Sequence, residues 1–120
     1  PVFTSGLHKD EADTSRGREF WSVLQESGAD IVLNGHDHHY ENFAPKLSDG
    51  SVSDEGIRQF VSGAGGYSLR KVSAPIPGGQ EKVIDDQFGY LYLELFPGRY
   101  EWQYKDVYGN TLDSGSDDCR

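Results

Sequence analysis

An apolar run that ends in two histidines constrains the fold of this chain more than any other feature. Residues 31–33 are Ile, Val and Leu, Asn34 and Gly35 follow at once, and His36 and His38 come next. This order predicts a buried strand whose carboxyl end delivers two imidazoles through a tight turn at the glycine. In open α/β sheets, that edge is where ligands bind. Because neutral imidazole ligates zinc, iron and related ions, the pattern predicts a metal site, against the alternative of a histidine-rich surface loop.

A helix is predicted directly before this strand. Residues 15–27 have apolar side chains at helical spacing, and Gly28 stands where a glycine commonly ends a helix. The apolar stripe of this predicted helix consists of Phe20, Trp21, Val23 and Leu24. A helix that leads into a buried strand is half of a βαβ unit, so the predicted fold class is α/β.

Strands and turns are predicted over the rest of the chain. The predicted strands cover residues 58–62, 89–96 and 100–107. Loops are predicted over 44–56 and 71–87, and the acidic tail from residue 112 is predicted to be loose at its end. Residues 63–66, Gly-Ala-Gly-Gly, predict a turn that needs a positive φ angle or a close backbone approach. They lack the Lys-Ser/Thr of a phosphate-binding P-loop. Without an internal repeat or a linker, residues 1–120 are predicted to form one domain or part of one.

The chain is acidic, because 20 Asp and Glu against 11 Lys and Arg give a formal net charge of −9. Phosphate backbones and anionic membranes attract Lys and Arg, so this balance argues against nucleic-acid and membrane partners. No apolar run approaches the about 18 residues that a membrane-spanning helix needs. The single cysteine, Cys119, is predicted to be either an exposed thiol or half of a disulfide to a cysteine outside the chain.

Five segments carry motif-like sequences, in one order along the chain. They are residues 1–6 (Pro-Val-Phe-Thr-Ser-Gly), 35–41 (Gly-His-Asp-His-His-Tyr-Glu), 56–66 (Gly-Ile-Arg-Gln-Phe-Val-Ser-Gly-Ala-Gly-Gly), 88–91 (Phe-Gly-Tyr-Leu) and 100–102 (Tyr-Glu-Trp). The second segment resembles the last metal-binding signature, Gly-His-x-His, of calcineurin-like metallophosphoesterases, and most of all their purple acid phosphatase branch. The first resembles the stretch that follows another metal-ligating histidine in that branch. The last three resemble its glycine-rich strand and turn and its closing strands.

The resemblance implies the C-terminal half of a four-layer α/β/β/α metallophosphoesterase sandwich, with one main helix and about five strands. The early signatures of the family, Asp-x-His or Asp-x-Gly, Gly-Asp-x-x-Tyr and Gly-Asn-His, do not occur in the 120 residues. Two imidazoles cannot hold two metal ions without bridging and terminal carboxylates. The implied activity, an acid-phosphatase-like hydrolysis of phosphoric monoesters, is therefore expected of the parent protein, and the chain alone is expected to be inactive.

The resemblance also implies roles for the histidines. His36 and His38 would be metal ligands, one to each of two divalent or trivalent ions, iron paired with zinc, manganese or a second iron. His8, on the loop after the first segment, would contact the phosphate or protonate the leaving group, and the alternative is an exposed loop histidine. His39 is expected to be solvated or structural. Asp37 is expected to be solvated or to support the ligands from behind.

Other functions are compatible with the same residues. The alternatives to a phosphomonoesterase are a non-catalytic fragment or binding module with at most one weak metal site, and part of a phosphodiesterase or nucleotidase on the same fold. The partners implied by the phosphatase hypothesis are a phosphorylated small-molecule substrate and the missing N-terminal half of the domain. Exposed strand edges predict self-association of the fragment. The family implies a secreted or cell-envelope location.

Overall fold

The computed structural model of the chain describes residues 1–10, 12–73 and 77–120. Within these ranges it contains helix α1 (Ala12–Glu26) and strands β1 (Ile31–Asn34), β2 (Tyr40–Phe43), β3 (Arg58–Ser62), β4 (Gln80–Ile84), β5 (Gly89–Phe96), β6 (Arg99–Asp106) and β7 (Thr111–Asp118). No helix in the described residues is long and apolar enough to cross a membrane.

The strands form two sheets that lie on the same side of α1. The first sheet has the order β1-β3-β2-β4, in which β1 and β3 are parallel and the other pairs are antiparallel. The second sheet is the antiparallel meander β5-β6-β7. The described layers are therefore helix, mixed sheet and antiparallel sheet. The predicted α/β class is confirmed, with seven strands where about five were predicted.

The helix ends as predicted, but most of its apolar stripe does not face the core. Gly28 has a φ angle of 75°, and the amide of Ala29 donates to the carbonyl of Leu24 at 3.0 Å, which closes the helix with a Schellman motif. Trp21 is 1% exposed and packs edge-to-face on Phe3 at 5.0 Å between ring centroids. The stripe residues that remain exposed are Phe20, Val23 and Leu24. Only the edge of the stripe that carries Trp21 lies against the first sheet.

Strand β1 lies at the edge of the first sheet, so the prediction that it is buried is wrong. Its hydrogen bonds go to β3 on one side, and Leu33 is 57% exposed. Its other residues are half-buried: Ile31 packs towards the second sheet, and Val32 packs towards α1. Periodicity shows which residues of a strand are apolar but not whether a neighbouring strand covers both of its edges.

Two of the added strands replace predicted irregular segments. Strand β4 lies inside the predicted loop 71–87, of which residues 74–76 lie outside the described part of the chain. Strand β7 occupies most of the acidic tail, where no strand was predicted, and it pairs with β6 from Thr111 to Asp118. The acids of β7 are not all solvated, because Asp113 and Asp117 accept hydrogen bonds from the first sheet. These long-range bonds stabilise a strand that is polar in sequence.

An aromatic core joins the two sheets. Tyr40 stacks on Tyr104 at 4.0 Å between ring centroids, and Phe60 meets Trp102 edge-to-face at 5.4 Å. All four rings are nearly or fully buried. Each such aromatic pair contributes roughly 0.5–1.5 kcal/mol beyond the area that it buries. This packing fixes β2, the strand that directly follows the histidine motif.

Two polar clusters add directionality to the same interface. The carboxylate of Asp113 accepts from the Tyr40 hydroxyl at 2.6 Å, from the Asn42 amide at 3.2 Å and from the Trp102 indole at 3.2 Å. The buried guanidinium of Arg58 donates to Asp117 and to the side-chain oxygen of Asn42, at 2.6 and 2.8 Å. The side-chain oxygen of Asn42 therefore accepts from a guanidinium of the neighbouring strand β3.

Candidate metal centre

The turn between β1 and β2, residues 35–39, is strained at His36, and we call it the histidine loop. His36 has a φ angle of 74°, which a residue with a side chain rarely adopts. The left-handed conformation costs a non-glycine residue roughly 1–2 kcal/mol. The sequence places the turn at Gly35, yet Gly35 is not among the glycines with positive φ. Strain at a residue that a glycine could replace points to a function of the imidazole.

The strain gives a measurable prediction. In metal-free protein, His36→Gly is expected to be about 1 kcal/mol more stable than His36→Ala, because glycine adopts the left-handed conformation without a Cβ clash. The free energies of unfolding of the two variants, from urea titrations, check this. Both lack the imidazole, so the difference isolates the backbone. A His36→Gly variant that is less stable than His36→Ala, as expected at an unstrained position, would show that residue 36 carries no strain.

His38 is oriented by the segment after β3. Its Nδ1 lies 2.9 Å from the Ser68 hydroxyl, and its ring forms a T-shaped pair with Tyr67 at 5.6 Å between centroids. The backbone carbonyl of His38 accepts from the amide of Arg70 at 3.0 Å. When Nδ1 of a neutral imidazole donates to a hydroxyl, the lone pair of Nε2 is left for a metal ion. The environment of His38 therefore suits a ligand that binds through Nε2.

His8 and His36 come together, although they are far apart in the sequence. Their ring centroids are 4.0 Å apart and their planes are inclined by 30°. The side chain of His8 is 16% exposed, so the alternative of an exposed loop histidine does not describe its position. The structure thus brings the predicted catalytic residue His8 to the predicted ligand His36 at the carboxyl end of β1.

Within the histidine loop, the side chain of Asp37 is buried and faces the N-terminal segment. Its carboxylate accepts from the Thr4 hydroxyl at 2.6 Å and from the backbone amide of His8 at 3.3 Å. It is 1% exposed, so it is not a solvated loop acid. A Cβ at Gly6 would lie 2.6 Å from both carboxylate oxygens, which is possible only for glycine. Asp37 supports the segment that carries His8 rather than only the two histidines on either side of it.

A second buried carboxylate, Glu41, lies on β2 behind the loop. It accepts from Nε2 of His39 at 3.0 Å, from the Ser5 amide at 3.0 Å, from the Ser5 hydroxyl at 2.7 Å and from the side-chain amide of Gln80. Glu41 and His39 are at most 1% exposed. The sequence left open whether His39 is solvated or structural. Because its side chain is buried and bonded to Glu41, its role is structural. Burial also raises the pKa of the neighbouring Tyr40, and its hydrogen bond to Asp113 raises it further, so this phenol stays protonated.

The glycine-rich segment after β3 packs against the backbone of the histidine loop. The amide of Gly63 donates to the carbonyl of His39 at 3.0 Å. A Cβ at Gly63 would overlap the carbonyl oxygen of Asp37 and lie 2.9 Å from its carbonyl carbon. Gly66 has a φ angle of 144°. The run thus contains both a close backbone approach and a positive φ angle, the two reasons for which a turn was predicted.

Comparisons with known proteins agree with the resemblance seen in the sequence. The chain is 28% identical over 95 residues to purple acid phosphatase 7 of Arabidopsis thaliana, a match that covers 78% of the chain and 26% of that protein. Its fold matches purple acid phosphatase PPD1 from yellow lupin (Lupinus luteus) seeds with a TM-score of 0.74 and 22% identity, over 81% of the chain and 19% of that protein. The chain is purple acid phosphatase-like. No protein-family model matches it.

The similarity to purple acid phosphatases covers a fraction of their length. The chain spans about a quarter of the Arabidopsis protein and about a fifth of the lupin chain. Its helix and two sheets correspond to the C-terminal part of a purple acid phosphatase-like fold, as the sequence predicted. The fourth layer of the predicted sandwich has no counterpart in the described residues.

The described residues fit a contribution to a metal site rather than a whole site. Within the described ranges, no three His, Cys, Asp or Glu side chains are grouped so that they could hold a metal ion. Two imidazoles, those of His36 and His38, suit zinc or iron as donors. Asp37 and Glu41 already accept hydrogen bonds from protein groups, which ties their oxygens to the N-terminal segment.

Sequence reasoning missed the residues that support the histidines. These are Thr4, Ser5, Glu41, Tyr67, Ser68 and Gln80. One of them left a signal: His39 and Glu41 are two residues apart, so an extended backbone places both side chains on one face. The rest depend on contacts between segments that are distant in sequence.

Proposed function

We propose that the chain is part of a metal-dependent phosphoric ester hydrolase, an acid-phosphatase-like phosphomonoesterase with a two-metal site. In this proposal His36 and His38 bind one metal ion each, and the carboxylate ligands come from the rest of the protein. The observation that carries the proposal is the meeting of His8 with the strained His36 at the carboxyl end of β1, in a chain with a purple acid phosphatase-like fold. A histidine-rich surface loop would need neither the strain nor the buried support.

The residues of the chain have separate tasks in this proposal. When bound, two metal ions supply positive charge that activates water and offsets the charge of the phosphoryl oxygens. His8, beside His36, contacts the phosphoryl group or gives a proton to the leaving oxygen. Ser68 holds the ring of His38, and the buried carboxylates of Asp37 and Glu41 hold the N-terminal segment. These contacts preorganise the histidines before substrate binds.

The net charge of −9 on the chain opposes the binding of a phosphorylated substrate in the absence of metal ions. An acidic protein repels a phosphorylated substrate unless cations dominate the field at the site. We therefore expect metal-free protein to lose both affinity for phosphate esters and turnover. The metal pair, iron with zinc, manganese or a second iron, the phosphorylated small-molecule substrate and the secreted or cell-envelope location remain part of the proposal.

The test is a phosphatase assay of the complete protein. We expect hydrolysis of p-nitrophenyl phosphate, loss of about a hundredfold or more in rate after dialysis against a chelator, and recovery when iron and zinc are restored. Elemental analysis should find two metal ions for each active protein. Bis-(p-nitrophenyl) phosphate and nucleoside monophosphates, assayed in parallel, distinguish a phosphodiesterase or nucleotidase. Metal-loaded protein that hydrolyses none of these esters would refute the enzymatic proposal and favour a binding module.

A further inference from the structure

The carboxylate of Asp37 is aimed at the segment that carries His8. The carboxylate accepts hydrogen bonds from the Thr4 hydroxyl and from the His8 amide. Its Oδ1 also lies 3.9 Å from Nε2 of His8. The carboxylate therefore meets both the backbone and the ring of the same residue. Gly6, which lies between Thr4 and His8, allows this close approach because a Cβ at that position would clash with Asp37.

The ring of His8 is confined from two directions. The imidazole of His36 lies against it at 4.0 Å between centroids, and the carboxylate of Asp37 lies beyond its Nε2. Asp37 itself is fixed, because it is buried and accepts the 2.6 Å hydrogen bond of Thr4. A loop histidine without such support would sample several rotamers, and part of its advantage in a reaction would be lost as entropy.

We propose that Asp37 is the positioning residue of His8: it fixes where the imidazole of His8 stands relative to His36. The inference rests on the proposed function, in which His8 meets the phosphoryl group or the leaving oxygen. It differs from the role expected of an acid between two ligands, which is to support those ligands. Asp37 acts through a residue that precedes it by 29 positions.

A double-mutant cycle in the complete, metal-loaded protein tests this. The variants are His8→Ala, Asp37→Asn and the pair, and the readout is kcat for phenyl phosphate, whose leaving group is poor. We expect His8→Ala to lower kcat about a hundredfold, as general acids commonly do. Asp37→Asn should lower it about tenfold, and the pair should be no slower than His8→Ala alone, because Asp37 acts only through His8. Metal content should stay at the wild-type level in all three.

Glu41→Gln is the matched control. It changes another buried carboxylate to an amide, and Glu41 contacts Ser5 and His39 rather than His8. Its effect on kcat should multiply with that of His8→Ala. If the effects of Asp37→Asn and His8→Ala multiply too, or if Asp37→Asn releases metal, Asp37 is a structural residue and the inference is overturned.

Two further results distinguish a failure of this inference from a failure of the proposed function. A wild-type kcat in His8→Ala would refute the proposed role of His8, whereas a loss confined to His8→Ala, with Asp37→Asn at the wild-type rate, would overturn the inference alone. If Asp37→Asn does not fold, Thr4→Val provides the same test. It removes the hydrogen bond that fixes the carboxylate, and its several-fold loss of kcat should vanish when His8 is alanine.

Discussion

His38→Ala in the complete protein is expected to remove bound metal and to lower kcat/KM by more than a hundredfold. Loss of a partner that only orients a metal ligand typically costs about 10–100-fold in affinity or activity, and loss of the ligand itself should cost more. His36→Ala should behave alike, since each histidine is proposed to serve one metal ion. Elemental analysis and steady-state kinetics on the same preparations measure both effects.

Ser68→Ala provides a graded comparison for His38. It leaves the imidazole in place and removes its 2.9 Å partner at Nδ1, so metal affinity should fall about tenfold and activity should recover at high metal concentration. His38→Ala should not recover. Full metal content and wild-type turnover in both His36→Ala and His38→Ala would exclude these residues as ligands.

Gly63→Ala is expected to cause the largest loss of function of any single methyl group added to the chain. The new Cβ would overlap the carbonyl oxygen of Asp37, so the histidine loop must move away from β3. Misplacement of reacting groups by about 1 Å can cost about a hundredfold in rate. The overpacking should also lower the free energy of unfolding by about 1–3 kcal/mol. Kinetics and urea titration of the variant test the two parts separately.

Gly65→Ala is the control within the same glycine-rich run. A Cβ at this position meets no atom within 4 Å, and Gly65 is not among the glycines with positive φ. The free energy of unfolding should therefore change by less than about 0.5 kcal/mol, and activity should be unchanged. If Gly63→Ala changed stability and activity as little as Gly65→Ala, we would conclude that the histidine loop does not pack closely on Gly63.

Much of this site was visible in the sequence because its signals are local. The apolar run 31–33 located the end of β1, and Gly28 marked the end of the helix. The strand predicted over residues 58–62 has the same bounds as β3. Each depends on the spacing of apolar residues or on the backbone freedom of one glycine. The order of the motif segments then pointed to the purple acid phosphatase-like fold.

The remainder depends on contacts that no local pattern records. The helix uses Trp21 and leaves Phe20 exposed because the angle at which it packs is set by Phe3 and the sheet. The polar strand β7 forms because Asp113 and Asp117 accept bonds from residues about 60–70 positions away. Asp37 and Glu41 gain their roles from Thr4, Ser5 and His8 in the same way.

The bonds of β7 to the first sheet have a practical consequence for protein engineering. An acidic stretch such as residues 111–118 is the kind of segment that is removed to aid expression or crystallisation. Here, trimming after the turn at residue 109 would uncover the edge of β6 and remove the acceptor shared by Tyr40, Asn42 and Trp102. Donors left without a partner in a buried interface each cost about 1–3 kcal/mol. Shortened versions of the chain should therefore retain residues 111–118, although their acidic composition suggests a segment without a structural role.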